Sequence, residues 1–169
     1  MKPAFEHPID HIKWLDAELL LPNEWNPNHV YGPELKLLER SIMSTGWIQP
    51  VLVSKTLVII DGEHRVHLAR TSRRVKEFTG GKVPCAILDL SEPERIMLTV
   101  RINRAKGSHI AIKMHDLVAK LVTEHGMDPQ YVAESMGATK DEIEVLMQDG
   151  IFKALKVDQH AYSRAWVPK

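Results

Sequence analysis

Cysteine is nearly missing from this chain: Cys85 is the single one in 169 residues. An internal disulfide is therefore excluded, and a reducing compartment suits the protein. No Cys/His cluster has the spacing of a zinc site, His109 and His115 included, so no structural zinc is expected. Also absent is any apolar run long enough to span a bilayer, and the first residues lack the basic-then-apolar layout of a signal peptide. The expected location is cytoplasmic, with no membrane partner. Basic and acidic side chains balance at 22 each, which excludes a uniformly basic nucleic-acid binder. Internal repeats and low-complexity stretches are lacking as well.

What is present supports one good core and a small extension, since 44% of the residues are hydrophobic. The charge is unevenly spread. Residues 62–106 carry 10 basic and 5 acidic side chains, against 5 and 8 in residues 1–61 and 7 and 9 in residues 107–169. That basic excess surrounds the stretch around which the chain is organised, residues 56–69. Leu57 to Ile60 predicts a buried strand, Asp61-Gly62 a tight turn, and Glu63 to about Val75 a helix. A helix N-terminus offers unpaired N–H groups and the positive end of the dipole, so an anion fits there, with His64 and Arg65 adding donors. The corner reads as a phosphate pocket. The plainer alternative is a strand–turn–helix corner with Arg65 in a structural ion pair.

In chain order, a first strand is predicted at Ile12 to Leu15. An ordered loop follows through Pro22, Asn23, Glu24, Asn26, Pro27 and Asn28, whose short side chains reach either a ligand or their own backbone. A helix is expected from Pro33 to Ser44, with Leu35, Leu38, Ile42 and Met43 as its buried stripe and Leu37 beside them. Ile48 to Val53 should form a hairpin with the 57–60 strand, and Val83 to Leu88 a fourth strand. Ser91 and Glu94 make a capping box that opens a helix from Glu92 to about Ala105. A further helix is expected over Ala111 to His125. Asp128 to Met136 and Thr139 to Met147 then have the layout of a helix-turn-helix. Its second helix carries Asp141, Glu142, Glu144 and Asp149 against Lys140, which repels DNA phosphates. Packing or protein contact is expected of it, and of the tail with Phe152, Leu155, Tyr162 and Trp166. Any DNA binding should depend on Arg70, Arg73, Arg74, Arg101 and Arg104. The predicted fold is α+β: residues 1–106 with a small mixed sheet flanked by helices, and residues 107–169 as a helical extension with the helix-turn-helix-like pair.

Several of these segments together resemble the N-terminal domain of the ParB and sulfiredoxin superfamily. They are Ser41-Ile42 with Gly46 and Gln49-Pro50-Val51, then Asp61-Gly62-Glu63-His64-Arg65 with Ala69, then Val83-Pro84 with Ile87. Asn103-Arg104-Ala105-Lys106-Gly107 and the ending Tyr162 to Pro168 resemble the small stand-alone bacterial and prophage branch that includes gene co-activators. The resemblance implies a nucleotide (ATP, ADP or CTP), with or without Mg²⁺, whose phosphates lie at the Gly62–Arg65 turn. Gln49, Pro50, Gly62, Glu63, His64, Arg65, Asn103 and Arg104 are the binding residues it implies. Sulfiredoxins place a catalytic Cys directly after the Gly; Glu63 stands there, so that reductase activity is not expected. Partition proteins hold Mg²⁺ with a Glu-Asn pair, matched here by Val100 and Arg101, which supply no oxygen ligands. The function so implied is a nucleotide-binding module in gene regulation or a phage- or plasmid-related DNA transaction, with a protein partner. The alternative is an enzyme: a phosphotransferase of the free-serine-kinase type using Glu24 as base with Asp61, or a ParB-like nuclease or nucleotide hydrolase.

Overall fold

The structure, a computed structural model, describes residues 6–23, 32–105 and 116–138. Two compact units divide the chain, Met1–Arg95 and Ile96–Lys169. The first is built on a four-stranded mixed sheet of β1 (Lys13–Asp16), β2 (Val51–Ser54), β3 (Ile59–Asp61) and β4 (Lys82–Leu88), in the order β1-β4-β2-β3. β1 runs antiparallel to β4, and β3 antiparallel to β2 in the expected hairpin. β2 and β4 are parallel, a pairing that demands a long crossover; here it comprises β3 and the helices α2 (Glu63–Thr71) and α3 (Arg73–Thr79). α1 (Gly32–Thr45) precedes β2. This is the α+β arrangement that the alternation of short β-branched runs and helical stretches predicts.

The core gathers Ala17, Leu20, Ile42, Val51, Val53, Ile59, Val66, Leu68, Ala69, Val75, Val83 and Cys85. From α1 it takes Ile42, with Leu35, Leu38 and Met43 partly buried against it, while Leu37 is exposed. On β4 the inward set is Val83, Cys85 and Ile87, the period of two that a pleated strand imposes. Trp14 of β1 meets Trp47 edge-on, with ring centroids 6.4 Å apart at 88°.

Two expectations are corrected. The strand predicted from Leu57 begins at Ile59, because Leu57 takes a left-handed φ of 63°. Its N–H donates to Ser54 O at 2.9 Å and Ser54 N–H donates to Val58 O at 2.9 Å, so Leu57 closes the hairpin turn. Neighbouring bonds hold it there: Leu21 N–H donates to Leu57 O, and Ile59 N–H to Leu21 O. The helix predicted from Glu63 to Val75 is two helices. Ser72 is extended (φ −81°, ψ 115°), and its hydroxyl oxygen accepts from Val75 N–H, capping α3. The same hydroxyl donates to Glu39 of α1 at 2.7 Å.

α4 (Glu92–Ala105) runs across the division at Arg95 and starts where Glu94 accepts from the Ser91 N–H at 2.7 Å, the expected capping-box bond. Residues 116–119 are helical and lead into a π-helical turn at Lys120–Glu124, followed by α5 (Pro129–Met136). Asp128 caps α5 through Tyr131 N–H. The start of the predicted 111–125 helix, the second helix of the helix-turn-helix-like pair and the tail lie outside the described residues. No helix among the described residues is long and apolar enough to cross a membrane.

Ser72 thus serves as cap and as a tie between helices. Replacing it with Ala is expected to cost about 1–2 kcal/mol, read from urea unfolding, and Ser72→Asp should keep the cap but not the bond to Glu39. A Ser72→Ala chain as stable as the wild type would contradict the two-helix description.

Candidate functional site: the corner between β3 and α2

The corner is set by Gly62. With φ 103° and ψ 18° it takes a left-handed conformation costly to other residues, and its carbonyl accepts the first N–H bonds of α2, from Arg65 at 2.9 Å and Val66 at 3.1 Å. Being glycine, it gives the helix no side-chain cap. α3 and α5 start differently, with Ser72 and Asp128 over their first-turn N–H groups. α2 thus takes no cap from its own N-cap residue, unlike the other two helices. Gly62 and His64 are partly exposed there, and His67 one turn on is exposed.

Arg65 lies on the inner side of this corner. It is 9% exposed, and its guanidinium donates from Nη1 to the carbonyls of Gln49 (2.7 Å) and Pro50 (2.9 Å), and from Nη2 to Asp61 Oδ2 (3.0 Å). A Cβ built on Gly62 would meet its Nη2 at 3.0 Å, Cζ at 3.2 Å and Nε at 3.3 Å, so the guanidinium packs directly against the glycine. Burial draws its pKa down, while Asp61 beside it pushes it back up. The structural ion pair weighed as the plainer alternative is thus present, in the same side chain as the implied phosphate contact.

Glu63 begins α2 with its carboxylate half-buried, and desolvation raises its pKa against the opposing charges of Arg70 and His67 and a hydrogen bond from Asn23 N–H. Its Oε2 is buried and meets no donor among the described residues. Arg70 reaches over the 3-10 turn Ala17–Leu19, donating Nε and Nη2 to Ala17 O and Nη2 also to Leu20 O. Glu63 and Arg70 together fasten residues 17–23 to α2. Glu24 follows this segment immediately but lies outside the described residues.

Of the remaining candidates, Gln49 is exposed and Pro50 partly so, beside the corner. Asn103 and Arg104 belong to α4 in the second unit, where Asn103 is 5% exposed. Among the expected nucleic-acid contacts, Arg73, Arg74 and Arg101 are exposed, whereas Arg70 is committed to the Ala17–Leu20 clamp. Arg73 is further tied to Glu77 at 2.7 Å on the surface. Val100 is fully buried and Arg101 exposed, so the two positions matching the Mg²⁺-holding pair do not fit a hard cation. Cys85 is buried on β4, where desolvation pushes its thiol up to about 11, far from a reactive thiolate. The clamps made by Arg65 and Arg70 were missed as such from the sequence. Helical phase carried the signal, since Arg65 shares a face with the buried Leu68 and Ala69 at three and four residues' distance.

A fold of this kind, with a helix that starts directly behind a strand–glycine turn, defines an α+β module. Residues 4–103 match the ParB N-terminal domain, and the chain belongs to that family. It is 35% identical over 173 residues to the uncharacterized protein YbdM of Escherichia coli strain K12, covering 100% of this chain and 82% of that one. It is 26% identical over 136 residues to the nucleoid occlusion protein of Lysinibacillus sphaericus strain C3-41, covering 78% of this chain but 44% of that relative. Among solved structures, the C-terminally truncated chromosome-partitioning protein ParB of Caulobacter crescentus, complexed to the centromeric parS site, is similar in fold. Its TM-score is 0.54 at 17% identity, over 86% of this chain and 78% of that one.

The raised pKa of Glu63 has a definite sign in stability. An acid whose folded-state pKa lies above its unfolded value favours folding at low pH, and that contribution is lost as pH rises through the folded-state value. Glu63→Gln removes the desolvated charge. The variant should melt above the wild type near about pH 7.5. The gap should close as pH falls below the ordinary carboxylate value of 4.5. A gap that widens on acidification would contradict the burial argument.

Proposed function

We propose that the chain is a ParB-like nucleotide-binding module in a DNA transaction, of the gene-regulatory or phage- and plasmid-related kind. The single observation that carries this is the glycine-started N-terminus of α2, where Gly62 supplies no side chain to the first turn, in a chain of the ParB N-terminal domain family. In this reading a nucleotide phosphate sits on the first-turn N–H groups of α2, with His64 as an added donor and Gln49-Pro50 along one side. Gly62 lets the phosphate approach the backbone. Asn103 and Arg104 stand as further candidate nucleotide contacts on α4, and the extension from 107 carries a protein partner. The parS complex of the similar-fold partition protein and the nucleoid occlusion relative support a DNA partner. Arg73, Arg74 and Arg101, being exposed, are the residues through which DNA phosphates would be neutralised.

Isothermal titration against nucleoside di- and triphosphates, with and without Mg²⁺, tests the seat. The wild type should bind at least one of them, and His64→Ala should weaken it by about tenfold or more, the worth of one charge-assisted bond. No binding to any nucleotide overturns the reading. For DNA, replacing Arg73 and Arg74 by Ala should lower affinity and reduce the salt slope by about 2, one for each lost phosphate contact. An unchanged slope removes those arginines from the interface.

A further inference from the structure

We infer that Arg65 is a positioning residue, one that joins the two walls of the proposed nucleotide seat and leaves the phosphate to the helix end. The inference rests on that seat and adds the part that the guanidinium plays in it. One wall is the Gln49–Pro50 backbone, whose two carbonyls are held by Nη1 at 2.7 and 2.9 Å. The other is the Asp61–Gly62 turn, held by Nη2 on the Asp61 carboxylate at 3.0 Å and by close packing of the guanidinium on Gly62. Three of the five guanidinium hydrogens are spent on these bonds, and both Nη1 hydrogens are spent on main-chain carbonyls.

A guanidinium is suited to this because its planar fork bonds several acceptors at fixed angles from one rigid group. The ammonium of a lysine keeps the charge but not the fork. That difference separates the two parts Arg65 can play. A group that binds the anion by charge is largely replaced by Lys, whereas a group that fixes two backbone segments is not. Ligands of different extent should then respond differently. Pyrophosphate needs only the end of α2, while a whole nucleotide reaches the Gln49–Pro50 wall as well.

The test uses the full chain and two probes, inorganic pyrophosphate and whichever of ATP, CTP, GTP and UTP the wild type binds most tightly. Arg65→Lys should lose about tenfold or more in nucleotide affinity and less than about threefold in pyrophosphate affinity. Equal losses for both probes, or wild-type affinity for the nucleotide, overturn the inference. Should the variant not fold, the wild type itself decides through its Arg65 side-chain ¹⁵N–¹H resonances under saturating pyrophosphate. They should stay in place while the His64 amide moves, and a comparable move of both overturns the positioning role. A wild type that binds neither probe overturns the seat, and this inference with it.

Discussion

The corner between β3 and α2 depends on one buried cation. Arg65 bonds Gln49, Pro50 and Asp61 and packs on Gly62, so a strand approach, a strand end and a helix start are held by a single side chain. Burying a charge is costly unless partners replace its water, and here two carbonyls and a carboxylate do so. Removing one partner of such a pair typically costs about 3–5 kcal/mol, because the other is left charged and unpaired. Gly62 is fixed by this arrangement as much as by its own φ. A side chain there would have to share its space with the guanidinium.

The same logic governs Arg70 and Glu63, which carry the tie outward to residues 17–23. Arg70 answers carbonyls at Ala17 and Leu20, and Glu63 answers the Asn23 N–H. The basic excess of the middle third is therefore divided. Arg65 and Arg70 hold backbone, while Arg73 and Arg74 face solvent at the start of the next helix. The break at Ser72 separates the two pairs, so a helix that would have run on uniformly becomes one helix bound to the core and another with its basic residues outside.

Much of this was legible in the residues. Ile48 to Val53 and Val83 to Leu88 announced strands, the first of them beginning only at Val51; Ser91 and Glu94 announced a helix start, and Asp61-Gly62 marked the corner. Residue types at a turn do not, however, fix which way a long side chain points. Arg65 was legible both as an anion donor and as an ion pair, and the distances to Gln49 and Pro50, sixteen and fifteen residues away, are tertiary. Ser72 was read through as helical because local propensity for serine is nearly neutral, whereas its bond to Glu39, on a different helix, favours the extended cap. Leu57 was read as strand for its β-forming neighbours, yet hairpin closure set its φ positive.

If the Gly62 end of α2 is the proposed anion seat, backbone amide NMR of the ¹⁵N-labelled chain titrated with inorganic pyrophosphate will locate it there. Saturating shifts are expected to centre on Glu63 and His64, the first residues of α2, with Ser72, Arg73 and Val75 at the capped start of α3 unmoved. Shifts centred elsewhere, with the Glu63 and His64 amides unchanged, would contradict it.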